Sequence, residues 1–160
     1  MDIRIRAADP SDVQEASKLQ RAVIPGDHPY EYARNILCSG TVNLVAIHKG
    51  TTIAGYISVL VGGLNPNGQH LWERLRPYLA FVGVLPDLQG QHVGAELIRR
   101  ALQASDPRGA SGMWLECPES AAGFYEKVGF VRVTSEAIEQ YTGLTPRGPA
   151  YRLASKPLPG

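Results

Sequence analysis

One stretch of the chain decides the fold, because an apolar strand passes through a glycine-bearing turn into an amphipathic helix: Val82-Gly83-Val84-Leu85-Pro86-Asp87-Leu88-Gln89-Gly90-Gln91-His92-Val93-Gly94-Ala95-Glu96-Leu97. The first N–H groups of such a helix have no intrahelical acceptor, and the helix dipole favours negative charge at this end. A loop that opens a helix in this way is a ready anion site. The stretch therefore predicts a place where the backbone can hold a diphosphate.

A second informative stretch is a short predicted helix that follows the buried strand 113–117: Ser120-Ala121-Ala122-Gly123-Phe124-Tyr125-Glu126-Lys127-Val128-Gly129-Phe130. Tyr125 draws attention because a phenol has a pKa near 10 and is protonated at neutral pH. It can therefore act as a general acid. The alternative is a half-buried core tyrosine whose ring packs the helix.

The two stretches together resemble the acyl-CoA-binding half of the GNAT-type N-acetyltransferases. That family carries a Q/R-x-x-G-x-G/A loop after its fourth strand, and the loop here matches at Gln89 and Gly94. It departs at the middle glycine, where His92 stands. The family's second pattern, N-x-x-A-x-x-L/F-Y-E-K-x-G-F, agrees over 124–130, but its asparagine is missing and Ser120 is the nearest polar substitute.

The resemblance implies acetyl-CoA as co-substrate and assigns roles to the matching positions. The backbone of the strand would pair with the pantetheine arm and polarise the thioester carbonyl, and the loop would hold the diphosphate. Gly83 would let the cofactor lie close to the main chain, and His92 in a helical first-turn conformation would still present its N–H. Tyr125 would protonate the leaving thiolate. The expected cofactor-binding positions are Val82, Gly83, Val84, Gln89, Gly90, Gln91, His92, Val93, Gly94, Ala95 and Ser120.

An ammonium acceptor also needs a general base. No acidic residue lies on the strand 78–85, so Glu116, on the next predicted strand, is the leading candidate. An acid on an apolar strand needs a partner or a purpose, because burying a charge is costly. The alternatives are a strand-end glutamate facing water, a contribution from Glu73 or His70 in the long polar loop 62–76, and a water chain that removes the proton.

Hydrophobic periodicity predicts the order strand, two helices, three strands, helix, strand, helix, two strands. Asp9 is placed as the cap of the first helix, with Pro10 at its first position. A second helix is expected from 27–29 through Leu37, closed by Gly40, and a turn-rich segment is expected between the last strands, 130–133 and 150–154. The order and the resemblance predict one α/β domain (α+β in some schemes) over 1–160, with a mixed sheet of about six to seven strands, splayed central strands and helices on both faces.

Composition narrows the function class. The chain has 160 residues, 44% of them hydrophobic, and a formal net charge of +1. These values favour a globular protein and give no drive towards nucleic acid or anionic membranes. No apolar run predicts a membrane span. Its two cysteines, Cys38 and Cys117, lack metal-ligand spacing and are predicted to be small buried hydrophobes in a reducing cytoplasm.

Three functions remain open on the sequence. The leading one is an N-acyltransferase that moves an acetyl group from acetyl-CoA to a primary amine of a small molecule or peptide. The second is a non-catalytic CoA-binding sensor or interaction module. A nucleotide-binding α/β domain of another kind is disfavoured, because the loop lacks the Lys-Ser/Thr of a P-loop. The acceptor is expected between the predicted second helix, the loop 62–76 and the segment 141–149, and its identity and the oligomeric state, including a homodimer, stay open.

Overall fold

The structure, a computed structural model, describes residues 2–24, 26, 30–61, 77–90, 92–109 and 111–155. Seven strands form one sheet in the order β1-β2-β3-β4-β5-β7-β6. The strands are β1 (Ile3–Ala7), β2 (Thr41–His48), β3 (Thr52–Leu60), β4 (Tyr78–Val84), β5 (Met113–Glu116), β6 (Val131–Val133) and β7 (Ala150–Leu153). The α-helices are α1 (Val13–Val23), α2 (Val93–Ser105), α3 (Glu119–Val128) and α4 (Ser135–Thr142).

The sheet is mixed, as predicted. β1 is antiparallel to β2, and β7 is antiparallel to both β5 and β6. β4 pairs with β5 in parallel through Tyr78 and Trp114, next to a hydrogen bond from Trp114 N to Pro77 O of 3.0 Å. The splay of the central strands stays a prediction. The α/β fold class and its strand number are confirmed.

The chain divides into two compact units, Met1–Val59 with Ala80–Ala101, and Leu60–Leu79 with Leu102–Gly160. We call them the first and the second unit. In the described residues no helix is long and apolar enough to cross a membrane.

The first helix of the first unit begins as its sequence predicts. The Asp9 carboxylate accepts from Ser11 N at 2.8 Å, and Asp12 returns the contact by accepting from Asp9 N at 2.9 Å. This reciprocal pair is a capping box. It nucleates a 3-10 turn over Pro10–Asp12 that continues as α1, whose buried stripe centres on Ala16 and Leu19.

The predicted second helix needs correction. The structure has a 3-10 helix over Tyr32–Leu37, and the expected starting residues 27–29 lie outside the described part of the chain. The backbone forms bonds three residues apart here, from Arg34 N to Glu31 O and from Cys38 N to Asn35 O, and side chains of neighbouring elements hold it in place. Gln20 accepts from Tyr32 N at 2.8 Å, and Thr41 donates to the carbonyl of Asn35 at 2.7 Å. The structure also overturns the prediction for Cys38, which follows the 3-10 helix and is exposed.

The α2 stripe is buried as predicted, with Val93, Leu97, Ile98, Ala101 and Leu102 all below one-tenth exposed. Leu97 lies over Gly55 of β3, where a Cβ would meet the Leu97 Cδ1 at 2.9 Å. Gly55 therefore permits the close approach of helix and strand. This packing fixes where the N-terminus of α2 lies within the first unit.

In the second unit, the segment predicted to be only turn-rich contains α4. The Thr134 hydroxyl accepts from Ala137 N at 3.1 Å and caps the helix, which ends at Gly143 with φ 74°. Its buried residues, Ile138, Tyr141 and Thr142, have helical spacing. Sequence analysis missed α4 because the turn signals of 143–148 are stronger than this short apolar stripe.

Candidate functional site

The connection between β4 and α2 carries the candidate anion site. Leu85 N donates to Ala54 O of β3 at 2.8 Å, which anchors the exit of the strand. A 3-10 turn over Pro86–Leu88 follows. Gly90 and His92 then adopt left-handed backbone conformations, with φ of 82° and 64°. Gln91, one of the expected cofactor contacts, lies outside the described residues.

The Gln89 side chain braces the loop. Its Nε2 donates to Val84 O at 2.9 Å, so the amide ties the loop back to the last residue of β4. The sequence assigned Gln89 to the cofactor, and the structure gives its amide group a loop-closing contact. A residue that holds the turn in shape preorganises the backbone groups beyond it.

The backbone N–H groups at the start of α2 are the candidate anion ligands. Among the described residues, the first hydrogen bond of α2 runs from Glu96 N to His92 O at 3.0 Å. The N–H groups of 93–95 precede that bond, at the positive end of the helix dipole. Glu96 adds a carboxylate to this turn, but Arg99 and Arg100 pair with it and hold its pKa below the usual range. The negative charge of Glu96 is therefore compensated by these two guanidinium groups.

His92 stands where the family pattern has glycine, and its backbone explains the family's choice. The expected helical first-turn conformation is wrong, because φ is 64° and lies in the left-handed region. A side chain costs free energy there, roughly 1–2 kcal/mol, which glycine avoids. The His92 carbonyl still accepts the first bond of α2.

We expect His92→Gly to be more stable than His92→Ala by about 1 kcal/mol, because both lose the imidazole and only alanine keeps a Cβ in the left-handed region. Urea denaturation of the two variants measures this difference. We also expect both to bind CoA about as well as the parent, because the loop is expected to contact the ligand through its backbone. A loss of affinity of more than about tenfold in both variants, near 1.4 kcal/mol, would show that the imidazole itself contacts the ligand.

The three expected strand contacts are the last three residues of β4. Val82 is half-buried, and Gly83 and Val84 are buried. A Cβ on Gly83 would lie 2.6 Å from the Phe81 Cζ and 2.9 Å from the Val23 Cγ2. Gly83 therefore makes room for the Phe81 ring and the Val23 side chain. Sequence analysis missed this packing role because Val23 lies far from Gly83 in the chain.

In the second unit, Tyr125 lies half-buried on α3. Its ring makes edge contacts with Phe124 and Phe130, with centroids 5.1 and 5.5 Å apart. Its carbonyl accepts from Phe130 N at 3.0 Å, and Gly129 ends the helix with φ 116°. The run 124–130 thus holds the Tyr125 ring against two aromatic neighbours and leaves part of it accessible.

Glu116 is the last residue of β5, where it pairs with Ala150 of β7. The side chain is half-buried, and desolvation raises its pKa, while a backbone hydrogen bond and the charge of Arg147 lower it in part. Sequence analysis did not identify Arg147 as a partner of Glu116, because the two residues lie far apart in the chain. Ser120, the last expected contact, is exposed in the first turn of α3.

Other chemistries find little support in the described residues. Burial raises the pKa of the Cys117 thiol, and Glu119 raises it further, so the reactive thiolate is disfavoured. Cys117 is buried, as predicted. Within the described ranges no group of His, Cys, Asp and Glu residues could hold a metal ion.

The acceptor residues expected in the loop 62–76, His70 and Glu73 among them, lie outside the described ranges. Tyr141 of the expected acceptor segment is buried, and its hydroxyl donates to Pro77 O at 2.7 Å.

A strand that exits into a left-handed, glycine-bearing loop and a helix, within a seven-stranded mixed sheet, is the arrangement that the resemblance to the GNAT-type N-acetyltransferases implies. The sequence model of the Acetyltransferase (GNAT) family matches residues 13–130. The chain belongs to the GNAT acetyltransferase family.

Three individual proteins illustrate its relationships. N-alpha-acetyltransferase 30 of Schizosaccharomyces pombe is 33% identical over 66 residues, which are 39% of this chain and 44% of that protein. A GNAT-family acetyltransferase from Staphylococcus aureus superposes with a TM-score of 0.74 at 18% identity, over 97% of this chain and 100% of that one. A GNAT-family acetyltransferase from Brucella melitensis, in complex with acetyl-CoA, has a TM-score of 0.66 at 23% identity, over 99% of this chain and 92% of that one. The match to the curated relative spans less than half of its length, and the structural likenesses establish the fold.

Proposed function

We propose that residues 1–160 act as one acetyltransferase domain that moves an acetyl group from acetyl-CoA to a primary amine of a small molecule or peptide. The observation that carries the proposal is the β4–α2 connection, in which two left-handed residues precede the N–H groups of 93–95 at the start of a helix. Helix N-termini of this kind favour anions such as a diphosphate. A structural neighbour that binds acetyl-CoA and a relative named as an N-alpha-acetyltransferase support the choice of ligand and acceptor.

In the proposed reaction the amine nitrogen attacks the thioester carbonyl directly. A bond from nitrogen to the carbonyl carbon forms as the carbon–sulfur bond breaks, and the electron pair leaves with sulfur. A backbone N–H within Val82–Val84 would polarise the carbonyl oxygen. Tyr125 would give its phenolic proton to the sulfur, and Glu116 or a water chain would take the proton from the amine.

Glu116 suits the role of base because a raised pKa brings a carboxylate closer to the basicity of an amine acceptor. We expect Glu116→Gln to lower kcat/KM and to remove an acidic limb from its pH profile, a limb whose pKa lies above the ordinary glutamate value. Steady-state kinetics across the pH range in which the protein stays folded measures both. An unchanged pH profile would mean that water, and not Glu116, takes the proton from the amine.

The same substitution has the opposite effect on stability. Because the folded state raises the Glu116 pKa, the ionised carboxylate is destabilised in the fold, and stability is lost as pH rises through the folded pKa. Glutamine carries no charge, so Glu116→Gln is expected to raise the free energy of unfolding at pH above that pKa and to change it less below it. A gain in stability with a loss of activity is the signature of a functional carboxylate.

A second candidate function is a CoA-binding module without catalysis. His92 in place of glycine and the missing motif asparagine favour it. Calorimetry with CoA and thiol release from acetyl-CoA over a broad amine panel separate the two. Binding with turnover supports the enzyme, and binding without turnover supports the module. The absence of both binding and turnover would contradict both functions.

A reducing cytoplasm is the proposed location, because the exposed Cys38 and the buried Cys117 are both free thiols.

A further inference from the structure

The outer face of α2 carries two arginines around one glutamate, directly after the candidate anion site. Arg99 donates to both carboxylate oxygens of Glu96, from Nε at 3.1 Å and from Nη2 at 2.5 Å. Arg100 Nε donates to the same carboxylate at 3.1 Å. We call these three residues the arginine cluster. They belong to the first unit, as does the start of α2.

The arginine cluster has an excess of positive charge. Two guanidinium groups face one carboxylate, and in the described part of the chain neither arginine pairs with a second one. A guanidinium group also has more N–H donors than these contacts use. Positive charge and hydrogen-bond donors are therefore left over on both side chains.

Helix geometry brings this excess close to the open end of α2. Side chains on a helix lean towards its N-terminus, and both arginines reach back to Glu96, which lies three and four residues before them. This carries the guanidinium groups back by about one helical turn, roughly 5 Å. Glu96 directly follows 93–95, whose N–H groups are the candidate diphosphate ligands. The arginine cluster therefore flanks the proposed diphosphate site.

Both arginines are accessible and restrained at the same time. Their side chains are 57% and 49% exposed, so a ligand in solution can reach them. The contacts with Glu96 hold their guanidinium groups in place. A side chain that is already held loses less conformational entropy when it binds a ligand.

The ligand chemistry that suits such a cluster is a phosphate monoester. A monoester carries close to two negative charges at neutral pH and several strong acceptor oxygens, and arginine binds it through paired N–H donors. In CoA, the ribose that carries the diphosphate also carries a 3′-phosphate, so the two groups are only a few bonds apart. A diphosphate held by 93–95 would therefore bring this monoester to the flank of the same helix.

We propose that Arg99 and Arg100 bind the 3′-phosphate of CoA and that Glu96 positions their guanidinium groups for it. The inference rests on the proposed CoA site. It deepens that proposal by naming the residues that distinguish CoA from a cofactor without the 3′-phosphate.

Calorimetric titration with CoA and with dephospho-CoA, which lacks only the 3′-phosphate, tests the inference. Near-physiological salt limits the influence of distant charges. We expect the parent protein to bind CoA about tenfold more tightly than dephospho-CoA, as charge-assisted hydrogen bonds to phosphate require. In the double variant Arg99→Gln/Arg100→Gln this ratio of affinities should fall to about twofold or less, because glutamine carries no charge.

The control removes the same amount of charge elsewhere in the first unit. Arg4→Gln/Lys18→Gln changes exposed residues of β1 and α1, and it should keep the parent ratio. Both double variants should unfold at nearly the parent temperature without ligand, because exposed ion pairs contribute little to stability. A changed ratio then reports on the ligand contact.

The outcomes separate this inference from the proposed function. Equal affinities of the parent for CoA and dephospho-CoA would overturn the inference and leave the diphosphate site intact. So would an Arg99→Gln/Arg100→Gln variant that keeps the parent ratio. If the parent binds neither ligand, the proposed CoA site is wrong, and the inference falls with it.

Discussion

Tyr125→Phe is expected to lower kcat by about 10²–10⁴-fold, the usual contribution of general acid catalysis. The substitution keeps the ring, and with it the edge contacts to Phe124 and Phe130, whose centroids lie 5.1 and 5.5 Å away. What disappears is the proton donor for the leaving thiolate. Affinity for CoA should change little, because the proposed phosphate contacts lie in the first unit.

The measurement is single-turnover acetyl transfer with saturating acetyl-CoA and amine, so that chemistry limits the rate. Tyr151→Phe is the matched control, because it makes the same chemical change at a buried position of β7 to which we assign no role. It should keep the parent rate. A Tyr125→Phe rate equal to that of the parent would return the tyrosine to a packing role and assign the proton to water or another donor.

Asp106→Ala is expected to destabilise the protein by about 3–5 kcal/mol, the cost of breaking a buried hydrogen-bonded cluster around a charge. Asp106, 9% exposed, follows α2, and its Oδ2 accepts from Ser111 N at 3.1 Å, from Gly112 N at 2.8 Å and from the Ser155 hydroxyl at 2.6 Å. One carboxylate thus joins the start of β5 to the chain beyond β7. Alanine would leave its N–H partners without their acceptor.

Urea denaturation followed by circular dichroism measures this loss. Ser155→Ala, which removes the hydroxyl contact and leaves the N–H groups of Ser111 and Gly112 in place, should cost only about 1 kcal/mol. Equal midpoints for Asp106→Ala and Ser155→Ala would mean that water replaces the carboxylate and that the cluster contributes little. The free energy at stake is a large part of the roughly 5–15 kcal/mol that holds a domain folded.

Features with strong local signals were predictable from the sequence. The Asp9-Pro10 start and the buried stripe of α2 each follow from chemistry within one or two turns of the chain. The seven-stranded mixed sheet followed from the order of such elements together with the family resemblance.

Features that depend on distant partners were not predictable. The segment around Asn35 is a 3-10 helix whose backbone is held by Gln20 and Thr41, and no local pattern announces either contact. Arg147 beside Glu116 and Val23 beside Gly83 are likewise brought in by tertiary structure. The left-handed His92 was missed for another reason: a motif records which residue is usual, and the backbone conformation explains why.

The central claim is that the backbone at the start of α2 holds the diphosphate of CoA. Titration of ¹⁵N-labelled protein with CoA, followed by amide NMR spectra, tests it directly. The account predicts saturable shifts in the amides of Gly90 to Ala95, with the amides of α4 unmoved. Saturating CoA that leaves Gly90 to Ala95 unshifted, or that moves only amides elsewhere, would contradict it.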